Sequence, residues 1–212
     1  MTDELIARLS ADLRPVPPRS MERRLWLALA IGALITIPYA WLLLDLWMDR
    51  PFVPLLGDAM FWVKFGYTLA FGCFGLAAVP ALSRPDGRVR WPLVGAGVVM
   101  LLALGFGAAR WMQNDWAMPD LVGHTAMVCP WLITLTGLPV LASLLLAMRS
   151  FAPRSPAMAG FAAGLLAGGF GAWAYAFFCG ESAMMFVAVW YSLGIVVTAL
   201  LGALLGRFAL RW

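Results

Sequence analysis

Six long apolar stretches, joined by short polar loops, make up most of this chain. A membrane-spanning helix needs about 20 mostly apolar residues, because each residue advances the helix by about 1.5 Å and the hydrocarbon layer is about 30 Å thick. Only 12% of the residues are charged, about half the usual fraction in a soluble domain. The sequence therefore predicts an all-α membrane protein, a bundle of six transmembrane helices, with spans at about 25–44, 61–82, 91–111, 126–148, 158–178 and 184–206.

The polar segment before the first span is too hydrophilic to cross a bilayer. In its first half, apolar side chains recur at helical spacing and share one face of a short amphipathic helix: Leu5, Ile6, Leu9 and Leu13. The polar face carries both acids and arginines, whereas helices that lie on membranes usually have a basic polar face. The pattern favours a protein partner, with the bilayer surface as the alternative. We expect a cytoplasmic N-terminal segment (1–24) and a six-helix transmembrane domain (25–212).

Basic residues are distributed unequally between the two sides of the predicted bundle. Twelve of the 15 lysines and arginines fall in the N-terminal segment, the second and fourth loops and the tail. The opposite side has most of the acids found between the spans, including Asp58, Asp115, Asp120 and Glu181. Because cytoplasmic loops carry an excess of Lys and Arg, both termini are expected in the cytoplasm.

No Asp, Glu, Arg, Lys or His falls near the middle of any predicted span. Such residues usually mark ion or proton pathways, so a transporter with an acidic proton site is disfavoured. Lys64 and Arg110 lie near span ends, where long basic side chains are expected to extend to the interface. The sequence also lacks the common nucleotide-binding, zinc-protease and serine-hydrolase motifs. We expect no enzyme activity and no cofactor. A small membrane transporter or channel subunit is the alternative function.

The three cysteines differ in their predicted positions. Cys73 falls in the middle of the second span, where a thiol usually serves as a small packing residue. Cys129 and Cys179 fall at the outer ends of the fourth and fifth spans, so both are expected to face the oxidising periplasm and to be accessible there. They are either two unrelated interfacial cysteines or a thiol pair. A pair could form a disulfide or bind a soft metal ion, with Glu181 or His124 as a further ligand.

Small residues recur every four positions in the last two spans. The fifth span has Gly160, Gly164 and Gly168, and the sixth has Gly194, Thr198, Gly202 and Gly206. This spacing lets helix backbones approach closely. We expect the last two helices to form a tight hairpin, and homodimerisation through the same faces is the alternative.

Several short motifs of the chain are similar to those of one known family. They include Cys129-Pro130-Trp131, Cys179-Gly180-Glu181, the run from Phe186 to Tyr191, and the N-terminal Thr2-Asp3-Glu4-Leu5-Ile6. Over its full length the chain resembles the NrsF family of bacterial integral-membrane anti-sigma factors.

The resemblance implies an inner-membrane protein that sequesters an extracytoplasmic-function sigma factor through its N-terminal segment. Direct binding to nucleic acid is not expected, because the arginines lie at membrane edges and not on one face. It also implies that paired periplasmic cysteines, here Cys129 and Cys179, respond to heavy-metal or oxidative stress and cause release. Family members often have a histidine before the second cysteine, where this chain has Phe178. An imidazole-assisted metal site is therefore less favoured, and thiol chemistry is the expected trigger.

Reporter fusions test the predicted orientation. Fusions after residue 86 and after residue 212 should be active with a cytoplasmic reporter and inactive with a periplasmic one, because both points lie on the arginine-rich side. A fusion in the opposite loop, after residue 115, is the control and should show the reverse. A periplasmic signal at residue 86 or 212 would contradict the orientation.

Overall fold

A computed structural model of the chain describes residues 4, 6, 10–11, 19–48 and 57–211. The described residues contain helices and no strand, so the all-α prediction is confirmed. In chain order the long and short helices are α1 (Ser20–Met48), α2 (Ala59–Leu82), α3 (Trp91–Gln113), α4 (Met118–Val122), α5 (Cys129–Met148), α6 (Pro156–Ala176) and α7 (Met184–Ala209). All except the short α4 are long and apolar enough to cross a membrane, which agrees with six predicted spans.

The helix boundaries differ from the predicted spans where local chemistry overrides hydropathy. α1 begins at Ser20, before the predicted start at residue 25, and has the acidic Glu22 in its first turn, where a negative charge favours the helix dipole. α5 begins at Cys129, not at residue 126, with a proline in its first turn. Proline suits that position because its missing N–H would have no helical partner there. α6 begins after Ser155, whose hydroxyl accepts a hydrogen bond from the Met158 N–H at 3.4 Å.

The central helix of the bundle is α6, and most of its residues are buried. It contacts α7 most extensively, then α2 and α5. α1 packs mainly on α5, and α3 packs on α2 and on the first turns of α7. The connections place Cys129, Cys179 and the start of α7 at one end of the bundle, which we call the cysteine end. The opposite end, where α1 begins and α5 ends, we call the N-terminal end.

Glycines bring the backbones of α6 and α7 into direct contact. A Cβ added to Gly160 would overlap the Gly202 carbonyl oxygen, and one added to Gly164 would lie 2.5 Å from the Thr198 carbonyl oxygen. At the end of the interface, a Cβ on Gly206 would lie 2.6 Å from the Pro156 carbonyl oxygen. The predicted tight hairpin of the last two long helices is therefore confirmed.

The outer surface of the bundle is strongly apolar. Large side chains that are more than half exposed occur on α1, α3, α5 and α7, among them Leu34, Leu101, Leu102, Phe106, Leu146 and Phe208. Soluble proteins rarely expose contiguous apolar surface of this kind. The surface is that expected of a multi-pass membrane protein.

Cys73 belongs to this outer surface, so its predicted role as a packing residue is wrong. The buried face of α2 includes Phe71, Gly75 and Ala78. Cys73 lies between Phe71 and Gly75 in sequence and therefore points away from that face. Hydropathy alone does not distinguish the two faces of a wholly apolar helix.

The α6–α7 contact makes a testable stability prediction. Gly164→Ala should destabilise the protein by about 1–3 kcal/mol, because the new methyl group would overlap the α7 backbone. Gly105→Ala is the matched control, since it also lies within a long apolar helix and a Cβ there meets nothing within 4 Å. That change should be neutral or stabilising by up to about 1 kcal/mol. Thermal unfolding of the detergent-solubilised variants, followed by circular dichroism, measures both. Equal melting temperatures would contradict the described packing.

Candidate functional site

Two cysteines from different parts of the sequence converge at the cysteine end. Cys129 is the first residue of α5, and Cys179 lies in the loop between α6 and α7. Both are free thiols with no exposed surface, and they belong to one buried cluster. They are close enough for charges on the two sulfurs to interact. The structure thus brings together the two residues that the sequence marked as a candidate pair.

The expected accessibility of these thiols is wrong. Cys129 and Cys179 are each 0% exposed, whereas Cys73 is exposed on the outer surface. The reason is that the segment before α5 and the first turn of α7 pack over the sulfurs: Ala126 and Phe186 are buried in the same cluster. A position near a span end does not by itself give solvent access, because the packing of neighbouring segments covers both sulfurs.

Glu181 ties together the two segments that carry the cysteines. Its Oε1 accepts a hydrogen bond from the His124 backbone N–H at 2.7 Å and one from the Thr125 hydroxyl at 3.3 Å. The Thr125 carbonyl in turn accepts from the Cys129 N–H at 2.8 Å. Gly123 has a φ of 52°, and a Cβ there would lie 2.6 Å from Glu181 Oε2. Only a glycine leaves room for the carboxylate in this turn.

The predicted metal ligands are therefore used differently. Glu181 is bonded to the neighbouring loop, and His124 meets it through the backbone. No group of three His, Cys, Asp or Glu residues able to hold a metal ion occurs among the residues that the structure describes. The two thiols share one buried cluster, without a three-residue ligand set among the described residues.

Lys64 is the residue that sequence reasoning misplaced. It was expected to extend to the interface, but it is 2% exposed and its Nζ donates a hydrogen bond to the Cys179 carbonyl at 2.8 Å. Its charge also acts on the Cys129 sulfur. α6 ends at Ala176, so carbonyls just beyond it lack helical partners and are available to a lysine. Lys64 follows Phe61 by three residues and precedes Tyr67 by three, a spacing that puts all three on the buried face of α2 and could have revealed it.

Two buried tyrosines complete the surroundings of the thiols. The rings of Tyr175 and Tyr191 are fully buried and lie 5.7 Å apart between centroids. Both hydroxyls interact electrostatically with the two cysteines, but neither makes a hydrogen bond of acceptable geometry to any described residue. Leaving a buried hydroxyl unpaired costs about 1–3 kcal/mol, so two such groups side by side are unusual. We call Lys64, Tyr175 and Tyr191 the donor set.

A π-helical turn, Val187–Tyr191, orients one member of the donor set. Such turns insert an extra residue into a helix and often occur at functional sites. The Ser192 hydroxyl, directly after the turn, donates to the Ala188 carbonyl and is hydrogen-bonded to the Tyr67 hydroxyl of α2. Trp190 donates from its indole Nε1 to the Leu121 carbonyl of α4 at 2.7 Å. These bonds hold both sides of the turn while Tyr191 faces the thiols.

Comparison with known proteins identifies the family. A family model described as "NrsF: Negative regulator of sigma F" matches residues 9–212. The chain belongs to the NrsF family. It is 39% identical over 223 aligned residues to the anti-sigma-F factor NrsF of Caulobacter vibrioides (strain NA1000 / CB15N), with 100% of this chain and 99% of that protein covered. It is 35% identical over 213 residues to the probable anti-sigma-F factor NrsF of Azospira oryzae (strain ATCC BAA-33 / DSM 13638 / PS), with the same coverage. No solved structure matches it. The resemblance inferred from the motifs is thereby confirmed.

The N-terminal segment of this NrsF-family chain is described only in part. Glu4, Ile6, Ser10 and Ala11 are helical and exposed, and Ile6 is 61% exposed. Leu5, Leu9 and Leu13 lie outside the described residues. The apolar face of the predicted amphipathic helix is therefore represented by Ile6, whose side chain is open to a partner.

Proposed function

We propose that this chain is an integral-membrane anti-sigma factor that binds an extracytoplasmic-function sigma factor through its N-terminal segment and releases it when Cys129 and Cys179 react. Membership of a family described as negative regulators of sigma F supports the anti-sigma part. The observation that carries the sensing part is the meeting of two distant cysteines in one buried site, beside a buried lysine. The protein acts by binding its partner and not by catalysis.

The proposed location is the bacterial inner membrane, with both termini in the cytoplasm and the cysteine end toward the periplasm. Six helices of suitable length and an apolar outer surface support a multi-pass arrangement. The excess of arginines at the N-terminal end supports the orientation. In this orientation the thiols lie on the oxidising side and the sigma-binding segment lies where transcription occurs.

The proposed trigger is oxidation of the thiol pair by a hydroperoxide. The thiolate of one cysteine attacks the O–O bond, which breaks, and one oxygen leaves as hydroxide or alkoxide and takes up a proton. The sulfur becomes a sulfenic acid. The second thiol attacks that sulfur, an S–S bond forms, and water leaves. Two thiols lose two electrons in all, and the peroxide gains them. Heavy-metal ions are the other stress that the family resemblance implies, and they form a separate arm of the test below.

α5 connects the cysteine end with α1, the helix that follows the N-terminal segment. Cys129 begins α5, and α1 packs along it so closely that a Cβ on Gly32 would lie 2.8 Å from the Val140 Cα. At the other end, the Arg24 guanidinium donates to the Ser150 hydroxyl at 3.0 Å. Displacing the start of α5 therefore changes the position of α1, from which the sigma-binding segment extends.

The alternative function, a small transporter or channel subunit, has weaker support. In the part of the chain that the structure describes, Lys64 is the only buried charged side chain. It is hydrogen-bonded to a backbone carbonyl and lies near one end of its helix. A transport path usually places acids or paired charges deep in the bundle.

The partner proposal is tested by one substitution on the apolar face. Leu9→Asp should weaken sigma-factor binding about 10- to 100-fold, because burying a leucine contributes about 1.5–3 kcal/mol. Ala11→Asp adds the same charge on the other face and should leave binding unchanged. Binding is measured by pull-down of the sigma factor with the full-length protein. Repression is measured in cells with a reporter gene that the sigma factor transcribes. Intact binding by Leu9→Asp protein that is still made in normal amounts would contradict the proposal.

The sensor proposal is tested by serine substitutions. Cys129→Ser, Cys179→Ser and the double variant should all lose the response of the reporter to peroxide to the same extent, because a disulfide needs both sulfurs. Cys73→Ser is the matched control and should respond like the natural protein. The same variants are also exposed to cadmium ions. Loss of the reporter response there would show that the same two cysteines are needed for the response to heavy metals. A full peroxide response in the double variant would overturn the sensor proposal.

A further inference from the structure

The surroundings of the thiols contain hydrogen-bond donors without matching acceptors. The Lys64 ammonium has three N–H groups, and the described residues offer it one hydrogen bond, to the Cys179 carbonyl. The hydroxyls of Tyr175 and Tyr191 make no well-oriented hydrogen bond to a described residue, but both lie within reach of the Cys179 sulfur, and that of Tyr175 also lies near Thr125. The nearby carboxylate, Glu181, is bonded to His124 and Thr125 instead. The site therefore has unused donors and a positive charge, and the neutral thiols are weak acceptors for them.

A sulfur anion is the group that this arrangement fits. A thiolate accepts strong hydrogen bonds and is attracted to a nearby cation. Cysteines buried among apolar groups are usually inert, because burial disfavours the charged form. An ammonium and two hydroxyls, all buried near the sulfurs, act in the opposite direction, and their effect is strengthened by the same dry surroundings.

We propose that Lys64, Tyr175 and Tyr191 are positioning residues that stabilise the anionic sulfur of the Cys129–Cys179 pair, and so keep a buried thiol pair reactive. This inference rests on the proposed thiol function and adds the groups that make it chemically feasible. The sulfur anion attacks an electrophilic oxygen or sulfur atom. The donor set stabilises the negative charge on the sulfur until that charge passes to the leaving group. The lysine also makes the site unfavourable for a bare divalent cation, which accords with a trigger based on thiol reaction.

A purely structural role for Lys64 makes the opposite prediction. In that case the lysine only fastens the Cys179 loop to α2, and its removal would loosen the loop and expose the sulfurs. The thiols would then react faster. If its charge stabilises the anion, its removal makes the thiols react more slowly. The sign of the change separates the two roles.

The test is the rate at which the full-length protein, purified in detergent in a Cys73→Ser background, reacts with methyl methanethiosulfonate. This reagent is small and uncharged, and intact-mass spectrometry counts the modified thiols. Lys64→Met should slow the reaction about tenfold or more, as expected when a thiolate loses its cation. Lys64→Arg should restore the rate to within about threefold. Circular dichroism spectra and melting temperatures of every variant monitor the fold.

Tyr191→Phe provides a second test if Lys64→Met fails to fold. It removes only a hydroxyl that lies near the Cys179 sulfur and makes no well-oriented hydrogen bond, so a purely structural role predicts equal or greater stability and an unchanged rate. Stabilisation of the anion predicts a reaction about threefold to tenfold slower. An unchanged or faster rate in both Lys64→Met and Tyr191→Phe would overturn the inference.

The assay needs no sigma factor, so it separates this inference from the proposed function. Suppose that the Lys64 and Tyr191 variants react with the reagent as fast as the natural protein, and that the cysteine-to-serine variants do not respond to peroxide in cells. The role of the donor set would then be rejected and the sensor proposal retained. Suppose instead that Lys64→Met reacts tenfold more slowly with the reagent, and that the Cys129→Ser, Cys179→Ser double variant responds fully to peroxide. The role of the donor set would then be retained and the sensor proposal rejected.

Discussion

The contact between α6 and α7 brings two helix backbones together at Gly160, Gly164 and Gly202. In a bilayer, helices gain little from burying apolar side chains, because lipid is equally apolar, so close packing must hold them together. With α6 fixed against α7, the remaining sides of α6 support α2 and α5. The positions of the residues around the cysteines follow from this arrangement, since they come from these same helices and the loops that join them.

The thiol site is assembled where helices stop. α6 ends at Ala176, which leaves the Cys179 carbonyl available to Lys64. α5 begins at Cys129, and Glu181 bridges the loops on either side. Helix ends supply unpaired backbone groups, and here those groups position a cation and a carboxylate without further elements. Burial protects the thiols from large reagents, while the donor set acts on their charge.

The number of spans and the α6–α7 hairpin could be predicted from the sequence, because hydropathy and glycine spacing are local properties of the chain. The sequence also marked Cys129 and Cys179 as a candidate pair through their common end of the bundle. It could not reveal their burial, which depends on how the loop at Ala126 and the first turn of α7 at Phe186 pack over them. Lys64 and Cys73 were misplaced for one reason: hydropathy gives the depth of a residue in the membrane but not which face of the helix it occupies.

The π turn in α7 has a consequence for how the two ends of that helix are related. It accommodates one residue more than a regular turn, and each residue of an α-helix adds a rotation of about 100°. If the turn moved along the helix or became regular, the part before it would change phase relative to the part after it. The residues before the turn, including Phe186 of the cluster that holds both cysteines, would then rotate relative to Gly202, which packs against Gly160. The π turn therefore sets the angular position of the first residues of α7 relative to the glycine face that packs against α6.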